Sequence, residues 1–237
     1  MTQSKWIFGI VFCALTVLFT ACQQQEELDE VLTEEEAVAT LESEFQVSDG
    51  GLTYEALDAT EVADDNAATI QNNCGWTGDS TFSYANSQNG RSVSYAFAYA
   101  WEVSCLGQIP QTFALTTERD GSASTPRHSG NVSANGDYMV DSLVIGTHYL
   151  LNAQYDLEAD RTFTGRNQTH QVAIDLSITL TDITVLKGSQ QISSGQGTYT
   201  LIGTRNGNSR TFTGTATFLG NGTVQIVVNG NTYTITL

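Results

Sequence analysis

From Val93 to Val103 every second residue is large and apolar (Val93, Tyr95, Phe97, Tyr99, Trp101, Val103), and the residues between them are Ser, Ala and Glu. A period of two is the pattern of a β-strand with one buried face. It returns in Tyr149, Leu151, Ala153, Tyr155 and Leu157, in Leu176, Ile178 and Leu180, and in Phe212, Gly214, Ala216 and Phe218. The chain's two prolines, Pro110 and Pro126, fall between such runs, where no ladder loses a donor.

Asn-Gly dipeptides turn this alternation into a pairing scheme, because a two-residue Asn-Gly turn suits type I′ geometry and fixes hairpin register. With Asn89-Gly90 as such a turn, Tyr84 lies opposite Tyr95, Phe82 opposite Phe97 and Trp76 opposite Val103. One further step sets Cys74 across from Cys105. The turn alone sets that register, so the meeting of the cysteines is an independent check, and it predicts a disulfide that an exported location permits. The same counting at the C-terminal end sets Leu201 against Phe212, Phe218 against Val224 and Ile226 against Tyr233. Apolar parity switches between Leu180 and Ile183 and again between Ile192 and Tyr199. With Lys187-Gly188 as the turn, Ile183 faces Ile192 and a bulge bends the sheet near Gly195.

These runs predict an all-β domain over residues 74–237, an antiparallel meander of about eleven strands. Long strands with one apolar face must bury it, so the sheet is expected to curl into a lipocalin-like or half-open barrel or to fold into a two-layer sandwich.

Charge divides the chain. Residues 22–73 carry 15 acidic side chains and no Lys or Arg, whereas residues 74–237 carry 11 acidic and 8 basic ones. The formal charge of −17 belongs mostly to the first segment. That sign repels nucleic acid and anionic headgroups, which excludes nucleic acid as a partner. High charge and few aromatics predict a mostly extended acidic tether over 22–73. One short helix is expected within it, since Thr33 and Glu36 form a capping-box pattern, Val38, Leu41 and Phe45 recur at helical spacing, and Gly50-Gly51 would end it.

At the N-terminus Lys5 precedes an apolar run from Trp6 to Phe19, followed by Phe19-Thr20-Ala21-Cys22. The run suits a signal-peptide core and is shorter than the roughly 20 residues of a membrane span. Its end resembles the lipobox of bacterial lipoproteins, with Phe19 in place of the usual Leu. The resemblance implies cleavage after Ala21 and lipidation of Cys22. Gln23-Gln24-Gln25-Glu26-Glu27 resembles the surface-export signal of Bacteroidota lipoproteins. That implies an outer-membrane protein facing the cell exterior, the periplasmic face being the alternative.

No nucleophile elbow, metal-binding helix or phosphate loop is present, so neither a catalytic residue nor a cofactor nor a metal is assigned. By strand counting, His128 and His170 fall at opposite ends of the sheet, with His148 near the His128 end. Asp156, Glu158 and Asp160 alternate on what should be a solvent face. Glu118–Gly130 and Glu158–His170 read as long loops holding half of the domain's basic residues, Arg119, Arg127, Arg161 and Arg166. Three functions remain. The first is binding of an apolar or glycan ligand on an aromatic concave face, through Tyr95, Tyr99, Trp101 and Tyr155 with Arg161 and Arg166. The second is a structural or partner-binding envelope protein with a packed interior. The third is an enzyme using carboxylates such as Asp156 and Asp175. A cavity within the sheet favours the first reading and a filled interior the second.

Overall fold

The computed structural model describes residues 31–165 and 169–237. Cys22 and the segments expected to act as signal and export motifs lie outside these residues, as does Arg166. Ten strands follow one another in a single antiparallel meander: β1 (Thr77–Gln88), β2 (Arg91–Leu106), β3 (Ile109–Ser124), β4 (His128–Asp141), β5 (His148–Thr164), β6 (Thr169–Leu186), β7 (Gln191–Arg205), β8 (Asn208–Gly220), β9 (Thr223–Val228) and β10 (Asn231–Thr236). The sequence pattern suggested about eleven. The sheet is not closed, for β1 and β10 do not pair with each other.

The turns do what their residues dictate. Asn89 and Gly90 have φ of 52° and 75°, Asn206 and Gly207 52° and 79°, and Asn229 and Gly230 50° and 83°. Positive φ at both central positions is the type I′ signature. The predicted registers follow, with Tyr84 opposite Tyr95, Leu201 opposite Phe212 and Ile226 opposite Tyr233. Cys74 and Cys105 form the expected disulfide, with Cα atoms 5.8 Å apart. Closing a loop of this length stabilises the fold by roughly 3–4 kcal/mol in the chain-entropy description.

One register differs. Ile192 pairs with Val185 rather than Ile183, because the β6–β7 connection spans four residues, 187–190. The bulge stands where parity placed it: register slips across Asp182 and Ile183, and a Cβ on Gly195 would sit 2.8 Å from the Cα of Ile183.

The larger correction concerns the acidic segment. Residues 31–73 are not an extended tether. They form α1 (Glu34–Phe45), a 3-10 turn (Val47–Asp49), α2 (Leu52–Asp65) and α3 (Ala67–Asn72), and they belong to the same compact unit as the sheet. The folded unit therefore includes residues 31–73 and does not start at Cys74. α1 starts at the predicted capping box, in which the Glu36 amide donates to the Thr33 hydroxyl and the Thr33 amide to the Glu36 carboxylate. Gly50, at φ 68°, takes the left-handed conformation that lets the chain reverse. At Gly51 a Cβ would meet the Glu44 backbone at 2.7 Å, so α2 leaves in close contact with α1.

These helices fill the concave side of the sheet. Leu32, Leu41, Phe45, Leu52, Ala56 and Ala59 are buried in one core with Phe97, Tyr155, Leu176 and Phe218. Glu34 accepts from Asn231 and Tyr233 of β10, while the Ser48 carbonyl beyond the end of α1 accepts from Tyr84 and Asn86 of β1. Ten flat strands would hold their outer edges about 43 Å apart, at about 4.8 Å per strand, yet α1 is only about 18 Å long. The sheet must therefore curl around the helices, giving a half-open barrel with a helical filling.

The two ends of this barrel differ. The β1–β2, β7–β8 and β9–β10 turns are Asn-Gly pairs, and α1 enters near them, where Arg210 donates to the Leu32 carbonyl. At the opposite end, on or beside the β2–β3, β4–β5, β6–β7 and β8–β9 connections, stand all the large hydrophobic side chains that are exposed among the described residues. They are Leu106 and Ile109, Met139, Val144 and Ile145, Leu186, and Leu219.

Candidate functional site

The most unusual chemistry of the domain lies in its interior. Parity along β3 and β5 continues through two arginines, so Arg119 and Arg161 point inward in the places of core hydrophobics and are 0% and 1% exposed. The segments expected to be long loops are thus mostly strand. Both guanidinium groups converge on Glu44, the penultimate residue of α1. Arg119 Nη2 lies 2.8 Å from Glu44 Oε2 and Arg161 Nη2 3.1 Å from Glu44 Oε1. Tyr155 donates its hydroxyl hydrogen to Glu44 Oε2 at 2.7 Å and accepts from Arg119. Arg119 also donates to the Gly50 carbonyl at the helix reversal, and Arg161 to the Ser43 hydroxyl at 3.1 Å.

A second carboxylate completes the cluster from α2. Glu55 accepts from the Thr117 and Tyr138 hydroxyls, and its other oxygen stands 3.5 Å from Arg119 Nε. Two arginines and two glutamates balance one another, and every member is buried. Burial raises Glu44, but Arg119 and Arg161 outweigh it and hold that carboxyl below its usual range. For Glu55 burial prevails over Arg119 and pushes the carboxyl up to about 7. His128, packed edge-to-face on Phe163 and within 3.1 Å of Arg161, is pushed down to about 3 by burial and by that guanidinium. It is therefore a neutral member of the cluster.

These shifts give stability an opposing pH dependence. Glu55 is raised from 4.5 to about 7, so its contribution is fully present below pH 4.5 and is lost as pH rises through 7. His128, lowered from 6.5 to about 3, contributes above pH 6.5 and loses that as pH falls through 3. Glu44 acts in the same sense as His128, losing its contribution as pH falls below the carboxylate range. Replacing Glu55 with Gln should remove the alkaline loss alone. Denaturant unfolding should show the variant gaining on the parent between about pH 5 and pH 8; an unchanging difference would mean that Glu55 titrates normally.

The residues expected to bind a ligand sit within or beside this core. Tyr95, Tyr99 and Tyr155 are 4%, 4% and 0% exposed. Tyr95 packs on Arg119, and Tyr99 lies beside Phe82 and Phe97. Trp101, half-buried, covers Gly78 and contacts Trp76. Arg161 binds Glu44 instead of facing a loop. The aromatic concave face exists as predicted, and the chain's own helices occupy it.

The histidines are placed differently from expectation. His128 and His170 lie at the same end, on either side of Phe163, and His148 opens β5 at the other. Because consecutive connections alternate between ends, the β3–β4 and β5–β6 connections share one. Asp156, Glu158, Asp160 and Asp175 face outward. A shallow recess of about 430 Å³ on that outer face is lined by Asp120, Glu158, Asp160 and Asp175, but not by Asp156. Among the described residues no three His, Cys, Asp or Glu side chains gather as a metal site.

Comparison with models of protein families, with curated proteins and with solved structures finds no match to this chain.

Proposed function

We infer that the protein is an outer-membrane lipoprotein, anchored through Cys22, whose domain is a structural or partner-binding component of the envelope and acts through its exterior. The observation that carries this reading is the filled interior. The face that would hold an apolar or glycan ligand is covered by α1 and α2 and is tied to them by Glu44, Glu55, Arg119 and Arg161. A pocket for such a ligand would require these helices to leave, stranding two arginines and their aromatic surroundings. The lipobox and the Gln23–Glu27 run support anchoring and export.

Mass spectrometry of protein purified from its own host tests both halves. The denatured mass should equal the polypeptide from Cys22 onward, with one disulfide and a covalent lipid, and the native mass should include no further small molecule. A stoichiometric apolar or glycan adduct in the native spectrum would restore the ligand-binding reading. A mass without lipid at Cys22 would end the lipoprotein reading.

A further inference from the structure

We propose that the apolar rim is a docking surface for a cationic, amphipathic segment of a partner protein. This rests on the reading of the domain as one that works through its exterior, and it names the surface and the chemistry of the partner.

The rim is built, not incidental. Leu106 and Ile109 form a cross-strand pair at the β2–β3 tip, directly beyond the Cys74–Cys105 disulfide. Lys187 joins two neighbouring tips, because its Nζ donates to the Ser142 and Leu143 carbonyls at 2.6 and 3.2 Å and its amide donates to Thr147. Ile145, on the loop so held, is 80% exposed. A tip whose backbone is tied in this way loses less freedom on contact than a free loop, which favours binding. Every large hydrophobic side chain exposed among the described residues stands at this one end of the domain, which points to an interaction surface.

Charge selects the occupant. α2 ends at this mouth of the barrel: Asp64 accepts from the hydroxyl of Tyr149, the ring on which Lys187 rests, and Thr60 bonds Gln190 of the β6–β7 connection. The last turns of α2 carry Glu61, Asp64 and Asp65, with Glu61 and Asp65 exposed and no basic residue in the last turn. Acids at a helix C-terminus oppose the helix dipole. Lys187, the cation of the four rim connections, donates to carbonyls and offsets one of these three acids, which leaves the acids in excess. The mouth thus presents negative charge framed by aliphatic tips. An anionic bilayer is repelled, and the exposed aromatic and basic residues that anchor proteins at membrane interfaces are missing among the described rim residues. A second copy would set two acidic mouths against each other, which costs association. A segment with Lys or Arg toward the mouth and Leu-like side chains toward the tips satisfies both features.

The test uses the full chain with Cys22→Ser and a synthetic amphipathic helical peptide of Leu and Lys, compared with a Ser and Lys peptide of equal charge. The Leu/Lys peptide should bind, and the Ser/Lys peptide should bind at least about tenfold more weakly. Leu106→Ser with Ile145→Ser, which leaves the charge unaltered, should weaken the first by a similar factor, and so should Glu61→Gln with Asp65→Asn. Equal binding of the two peptides, or no loss in the Ser variant, would overturn the proposal. So would rim-dependent binding to phosphatidylcholine vesicles or rim-dependent self-association without peptide binding, which would assign the surface to a bilayer or to a second copy. These variants read the rim alone, whereas a lipid or ligand mass reads the earlier proposal, so either can fail without the other.

Discussion

Replacing Arg119 with Met should destabilise the domain by about 3–5 kcal/mol, the cost of leaving a buried charge without its partner. Arg119 contacts Glu44 from α1, nears Glu55 from α2 and donates to the Gly50 carbonyl between them. The variant would keep both carboxyl groups in the core with only Arg161 to offset them. Glu55, which faces Arg119 and not Arg161, would then be driven further toward protonation, and loss of stability should be steepest at neutral and alkaline pH. Combining Arg119→Met with Glu55→Gln should recover part of the loss, because the Arg161–Glu44 pair is then left balanced and no charge is stranded. Urea unfolding midpoints check both. An Arg119→Met variant within about 0.5 kcal/mol of the parent, the range of ordinary surface substitutions, would mean that the guanidinium is in water.

The second large effect is expected at Phe45, which is 0% exposed and packs edge-to-face on Phe218 with ring centroids 6.0 Å apart. Phe45→Ala should cost about 3–5 kcal/mol, the combined loss of transfer energy and the cavity left behind. In an extended tether the same change would be nearly silent. Denaturant unfolding therefore decides with one substitution whether the acidic segment belongs to the fold.

What the sequence made legible was whatever depends on short-range geometry. Asn-Gly turns carry their own dihedral preferences, so counting outward from Asn89 located the disulfide some fifteen residues away without knowledge of the sheet's curvature. The capping box announced α1 for the same reason. α2 was missed because its buried face is made of Leu52, Ala56, Ala59 and Ala63 with Thr53, Glu55 and Thr60. Small residues let a helix lie close to a sheet but give a weak hydrophobic signal, and Glu44 and Glu55 count as solvated charges in any composition. Their partners were hidden differently. Arg119 and Arg161 sit in phase with the apolar positions of their strands, so parity could have placed them inside, but their charge made the segments look like loops. Buried ion pairs join residues 75 and 117 positions apart, and neither member can be recognised until the other is placed. His128 and His170 share an end because two strands, β4 and β5, separate the connections beside which they lie.

Whether residues 31–73 fill the half-open barrel is read by hydrogen exchange with mass spectrometry on the intact chain. Amides of Ala37–Phe45 and Glu55–Ala63 should exchange as slowly as those at the centres of β3 to β5, since both report the same global opening. Exchange of those helical amides at the rate of an unstructured chain, beside a protected sheet, would mean that the segment does not fill the barrel.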